Sequence, residues 1–292
     1  MKAFHCAKLV VIGVGLIGGS VAIALRKAGS VDRIVGVGRG RANIQRALEL
    51  GVIDESASDA ALAARDADVV LVAVPVQQTE AVLRSLDAAA SSKTLITDAG
   101  STKRDFVSAA GRLLPGHLAN VVPAHPIAGA ELTGVDAANA NLFVDRNVVL
   151  TPLPESAQES VDRIEALWKT CGARVSRMTP TRHDQVFSAV SHLPHMLAYA
   201  LVHMIATRPD AAELFGFAAG GFRDFTRIAS SSPEMWRDIA TTNREALLED
   251  LASYQNQLSH LADLIRDSSA EQLGEIFQTA RDARNAWLRK DA

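Results

Sequence analysis

A short apolar run at residues 9–12 is followed at once by Gly13-Val14-Gly15-Leu16-Ile17-Gly18 and then by a helix-like stretch at residues 20–28. That order, strand then GxGxxG then helix, constrains this 292-residue chain more than any other feature. The first glycine permits a tight turn, the second lets a pyrophosphate approach the backbone, and the third lets the helix pack on the strand. The start of the helix adds unpaired N–H groups and the positive end of a dipole, both suited to phosphate. Gly13, Gly15, Leu16, Ile17 and Gly18 are therefore expected to hold a dinucleotide.

The next apolar run, residues 33–37, should end in a carboxylate if the ribose 2′-hydroxyl of NAD is to be bonded. It ends instead in Gly38-Arg39-Gly40-Arg41. A guanidinium can bond a 2′-phosphate through two donors, so Arg39 favours NADP. NAD stays open if Arg39 only stacks on the adenine. Residues 68–74 form a β-branched run of the kind found in a parallel strand covered on both faces. Val74, at its end, is expected on the cofactor, and Pro75 stops the strand. Helices are expected at 77–86 and 103–114 around a strand at 94–97, and strands at 148–150 and 174–176, flanking a helix at 156–170, should complete the sheet.

At Thr179-Pro180 the alternation of strand and helix stops, and the rest has helical character. The expected fold is α/β, an N-terminal Rossmann-type doubly wound sheet over residues 1–178 followed by an all-α C-terminal domain over residues 179–292. A length of 292 residues supports two cores. The net charge of −3 shows no basic footprint for nucleic acid or an anionic membrane. Residues 9–25 are apolar, but four glycines and too short a run argue against a membrane span or a signal peptide. Cys6 and Cys171 form no ligand pattern, which argues against zinc and suits a reducing cytoplasm.

Several polar residues stand out against this frame. In VVPAHPIAGAE, residues 121–131, His125 leaves an apolar run for a loop punctuated by proline and glycine, where ligands meet the strand ends of an open sheet. Ser101 follows another strand in DAGSTK and reads equally as a helix cap or as a second group on that crevice. His192 and His195, in SHLPH, lie one turn apart, with Pro194 expected to kink their helix. No acidic or thiol ligand completes a metal set with them. Arg223 and Arg227 follow a Gly-Gly turn and suit a carboxylate ligand, although single arginines are usually solvated. Ser231 to Glu234 and Thr242 to Glu245 look like capping boxes. Leu247, Leu251, Tyr254, Leu258, Leu261 and Ile265 then make an apolar seam, either ordinary core or an interface between subunits.

Taken together, GVGLIGGS, DAGSTK, HPIAGAE, SHLPH, GGFRDFTRIA and SSPEMWRDI give a chain that resembles the prephenate/arogenate dehydrogenase family of tyrosine biosynthesis over nearly its whole length. The resemblance implies oxidative decarboxylation of prephenate or arogenate with hydride transfer to NAD(P)+. It implies that His125 handles the C4 hydroxyl as a neutral imidazole, and that Ser101 hydrogen-bonds this histidine beside the nicotinamide. His195 and Arg227 match substrate-binding positions, Glu131 a gating carboxylate, and His192 and Arg223 supporting positions. With the seam, the resemblance suggests a homodimer through the C-terminal helices, and the absence of a mutase- or ACT-like extension suggests a single-activity core enzyme. Two other functions fit the same plan: a β-hydroxyacid dehydrogenase, which would need a catalytic lysine where this chain has SHLPH, and a non-catalytic NADP sensor.

Overall fold

The computed structural model describes residues 4–129 and 132–289. Its first part alternates as β1 (Cys6–Ile12), α1 (Leu16–Lys27), β2 (Val31–Val37), α2 (Arg41–Glu49), β3 (Glu55–Ala57), α3 (Ala60–Ala64), β4 (Val69–Val72), α4 (Thr79–Leu86), β5 (Leu95–Asp98) and α5 (Arg104–Leu113). The five strands are parallel in the order β3-β2-β1-β4-β5. Alternation along β1 explains why helices cover both faces. Leu9 and Val11 enter one core with Val21 and Leu25 of α1, whereas Val10 and Ile12 enter another with Leu83 of α4 and Phe106 of α5. The doubly wound sheet expected from the sequence is present.

Beyond it come β6 (Ala124–Pro126), β7 (Asn147–Leu150), α6 (Gln158–Thr170) and β8 (Arg174–Arg177). These strands do not complete the first sheet. They form a sheet of their own, β6-β7-β8, with β6 antiparallel and β8 parallel to β7. One bridge, Ile96↔Val121, and the bond from Val122 N to Ile96 O tie the segment before β6 to β5. Pro123 and Pro126 lack the N–H a longer parallel ladder needs, so the chain turns to β7 instead. His125 consequently lies within a strand, opposite Val149, and not in the loop beyond it.

From Pro180 onward every regular element is helical: α7 (Pro180–Phe187), a π-helical turn (Ser188–His192), α8 (Leu193–Ala206), α9 (Ala211–Gly216), α10 (Gly220–Thr226), α11 (Pro233–Thr242), α12 (Arg244–Arg266) and α13 (Ala270–Leu288). Ser232 caps α11 by accepting from Met235 N at 3.3 Å. Asn243, expected in a capping box, is buried and spends its amide elsewhere. The residues fall into two compact units, 1–244 and 245–292, so α7 to α11 belong to the same compact body as the sheets. In the second unit the seam is only half covered. Leu247 is buried, whereas Leu258, Ile265, Phe277 and Trp287 are each at least half exposed. In the first unit, Pro180–Ala206 is long and apolar enough to cross a membrane by length and composition, but it holds four buried polar residues, His183, Asp184, Ser188 and His192.

Candidate active site

The glycine-rich turn builds a cleft of about 790 Å³ whose walls include Gly13, Gly15, Arg39, Asn43, Val74 and Pro75. Gly13 has φ +99°, and a Cβ on it would lie 2.3 Å from Ala73 O. A Cβ on Gly18 would lie 2.3 Å from Gly13 O, so this glycine sets the approach of α1 to the turn. Gly15, which precedes α1, has nothing within 4 Å of its would-be Cβ, leaving open space in front of the first N–H groups of the helix. Space and free donors at one helix start fit a pyrophosphate. Asn43 braces the turn, donating to Val14 O at 2.6 Å and accepting from Val135 N at 3.0 Å. Of the residues expected at the cofactor, Gly13, Gly15, Arg39 and Val74 line the cleft. Leu16, Ile17, Gly18 and Ser101 are not part of that wall, and Ile17 packs against the core.

His125 is held from the side of α7. Its Nδ1 lies 2.8 Å from His183 Nε2, and His183 Nδ1 lies 2.8 Å from Asp184 Oδ1. Asp184 also accepts from the backbone N–H groups of Lys103 and Arg104, each at 2.9 Å, which caps the start of α5. Among the described residues the expected bond from Ser101 to His125 is not formed, and the partner at His125 Nδ1 is His183. Phe187 closes another side, its ring centroid 4.9 Å from that of His125. Beneath the strand, buried Lys103 pairs with Asp98 and donates to Ala124 O at 2.7 Å, while Ala124 N donates to Asp98 at 3.0 Å. The end of β5 thus fixes the backbone that presents His125.

The charge states follow from these surroundings. Burial, together with the fields of His183, Lys103 and His192, pushes His125 well below an ordinary histidine. Burial lowers His183 too, against the pull of Asp184. Burial opposes ionisation of Asp184, but the His183 bond and the two backbone donors outweigh it and keep its carboxyl low. At neutral pH the site is therefore a carboxylate and two neutral imidazoles.

The second group of residues comes from the π turn and α8. Pro194 supplies no N–H to the preceding turn, which widens just there into the π helix. His195 Nδ1 lies 2.8 Å from Ser191 O, and its ring stacks on Trp236 at 3.5 Å between centroids and 19° between planes. Because a carbonyl can only accept, the His195 proton sits on Nδ1 and Nε2 keeps a lone pair. Burial lowers this histidine as well, and the charge of Arg227 adds to the effect, so Arg227 and His195 share a locality. His192 is buried, and its Nδ1 lies 3.0 Å from Asn243 Nδ2. Arg223 and Arg227 both line an open cavity of about 410 Å³ with Phe222 and Thr226. Glu131 lies outside the described residues. Among the described residues, no group of three or more His, Cys, Asp or Glu could hold a metal ion.

His183, Asp184, Lys103 and Asn243 were given no role in the site by sequence, although the sequence places His183-Asp184 on the first helix after residue 179. The available signals were two adjacent titratable residues opening a helix and a Lys five residues after a strand-end Asp, both commonplace on exposed surfaces.

Similarity to known proteins points the same way. The profile described as prephenate dehydrogenase, nucleotide-binding domain, matches residues 21–177, and the one described as prephenate dehydrogenase, dimerization domain, matches residues 179–279. A prephenate dehydrogenase of Bacillus subtilis is 38% identical over 279 residues, covering 95% of this chain and 75% of the relative. A cyclohexadienyl dehydrogenase of Zymomonas mobilis is 36% identical, covering 95% of both. The crystal structure of prephenate dehydrogenase from A. aeolicus, in complex with hydroxyphenyl propionate and NAD+, superposes with a TM-score of 0.91 at 34% identity, covering 97% of this chain and 99% of that one. Synechocystis arogenate dehydrogenase gives a TM-score of 0.82 at 31% identity, covering 96% and 99%.

Proposed function

The chain belongs to the prephenate dehydrogenase family, and from that premise we propose that it oxidatively decarboxylates prephenate or arogenate at the His125 site, in tyrosine biosynthesis. The observation that carries this reading is His125 tied through His183 to Asp184 and carried on a strand end pinned to β5. Bound NAD(P)+ supplies the hydride acceptor. His125 accepts the C4 hydroxyl proton as the hydride departs from C4, and a carbonyl forms there. The ring carboxylate then leaves as CO2, and the electrons of its broken bond make the ring aromatic. The new phenolate oxygen takes a proton back, so His125 ends neutral.

The remaining residues orient the acid. Arg227 pairs a substrate carboxylate, and His195, flat on Trp236, presents the Nε2 lone pair to a donor on the substrate. His192, Arg223, Glu131 and Ser101 support the site, Ser101 from the loop after β5. Gly13 and Gly15 receive the pyrophosphate, with Leu16, Ile17 and Gly18 supplying the helix start. Arg39 at the cleft wall favours NADP over NAD, since no carboxylate ends β2.

The working form is a homodimer in which the exposed apolar residues of α12 and α13 are covered by a second copy. Residues 1–178 act as the nucleotide-binding domain and residues 179–292 as the substrate-binding and dimerisation domain, in the cytoplasm. The test is a two-by-two assay, prephenate or arogenate against NAD+ or NADP+. Cofactor reduction matched by CO2 release in at least one pairing is expected, and silence in all four overturns the reading.

A further inference from the structure

The hydrogen bonds around His125 continue past it to a second histidine. Asp184 meets the ring of His183 through its carboxylate and meets Asn243 through its backbone carbonyl, to which Asn243 Nδ2 donates at 2.8 Å. The same Nδ2 lies 3.0 Å from His192 Nδ1. His183, Asp184, His192 and Asn243 are each at most 3% exposed, so water cannot substitute for a missing donor or acceptor. The atoms available leave one assignment. An ionised carboxylate only accepts, so His183 carries its proton on Nδ1, and its Nε2 must accept from Nδ1–H of His125. That leaves the lone pair of His125 on Nε2. The Asp184 carbonyl also only accepts, which fixes the orientation of the Asn243 amide and turns an N–H towards His192 Nδ1. His192 therefore has the opposite tautomer, with its proton on Nε2.

We propose that Asp184, acting through His183, and Asn243 are positioning residues that set opposite tautomers on His125 and His192, making Nε2 the only basic atom His125 offers. This deepens the function proposed above and rests on it only where turnover is measured. An amide at 184 sets its NH2 against a backbone donor in either orientation, Arg104 N–H or Lys103 N–H, and in the second it also donates to His183. The proton order then reverses along the chain, and His125 acquires a proton on Nε2, where it can no longer act as a base. The groups facing this chain are Asp98 and Lys103 from β5 and the loop before α5, His192 from the π turn, and apolar Phe187 from α7.

The first test needs no substrate. In the full-length protein labelled with [15N]histidine, the eight histidines can be sorted by comparison with the His125→Asn and His192→Asn spectra. His125 is expected to be protonated at Nδ1 and His192 at Nε2. The second test is Asp184→Asn, for which a kcat loss of roughly a thousandfold or more is expected, as for a triad whose tautomer is inverted. KM should stay within about threefold, because the substrate contacts are untouched. Asn243→Asp, which replaces a donor by an acceptor, should move the His192 proton to Nδ1 and leave His125 as it was. A native His125 protonated at Nε2 overturns the proposal even if Asp184→Asn fails to fold. An Asp184→Asn protein with unchanged tautomer and full kcat overturns it too. Inactivity of the native enzyme on both acids would instead count against the function, and the native spectrum would still decide the tautomers.

Discussion

Lys103 and Asp98 form an ion pair sealed beneath the strand that carries His125, their side chains 0% and 4% exposed. Each also holds the backbone of Ala124, the lysine at the carbonyl and the aspartate at the N–H. Removing one partner strands the other charge in a dry site. Lys103→Met is thus expected to cost about 3–5 kcal/mol of stability, read from urea unfolding. A loss below about 1 kcal/mol would mean the pair is solvated.

The charge of Arg227 reaches His195, and the proposed role is to bind a carboxylate. Arg227→Ala removes a charge-assisted hydrogen bond worth about 1.5–3 kcal/mol. The expected result in steady-state kinetics is a KM raised by roughly 10- to 100-fold. An unchanged KM would take Arg227 out of the site.

Arg39 stands on the wall of the nucleotide cleft where β2 ends without a carboxylate. Arg39→Ala should weaken NADP+ binding by roughly tenfold or more and leave NAD+ nearly as before. Fluorescence titration with each reduced cofactor separates this from stacking on adenine, which predicts equal losses for both.

Three histidines, 125, 183 and 195, have native pKa values held below 6.5. The unfolded chain takes up protons as pH falls through 6.5, whereas the native sites resist, so their joint effect is to lower stability in that window. The depressed carboxyl of Asp184 acts separately, below its ordinary value of 3.8. Melting temperature should drop between about pH 7.5 and about pH 5.5. In the same window kcat/KM should keep its base, with an acid limb well below 6.5. An acid limb centred at 6.5 would show an unperturbed His125.

The sequence was most legible where local pattern and tertiary role agree. β1, the glycine turn and α1 follow from a short apolar run and three glycines, and β4 from a near-continuous β-branched run. β3 escaped because its three residues are mostly exposed and lack an apolar pattern. β7 and β8 were found as strands but assigned to the wrong sheet, since pairing partners depend on Pro123 and Pro126 and not on the strands themselves. The histidine network was illegible for a geometric reason. His183 and His192 are nine residues apart, about two and a half turns of a regular helix, which puts them on opposite faces. A π turn and a distant Asn243 bring them into one network.

The central claim is that His125 moves the proton while other groups hold the cofactor and the acid. The most direct measurement is turnover and cofactor affinity of His125→Asn, made side by side with the native enzyme on whichever acid and cofactor pair it accepts. Loss of a positioned base predicts a kcat lower by roughly 100- to 10,000-fold with the NAD(P)H dissociation constant unchanged. A kcat within about twofold of native, with cofactor still bound, would contradict the account.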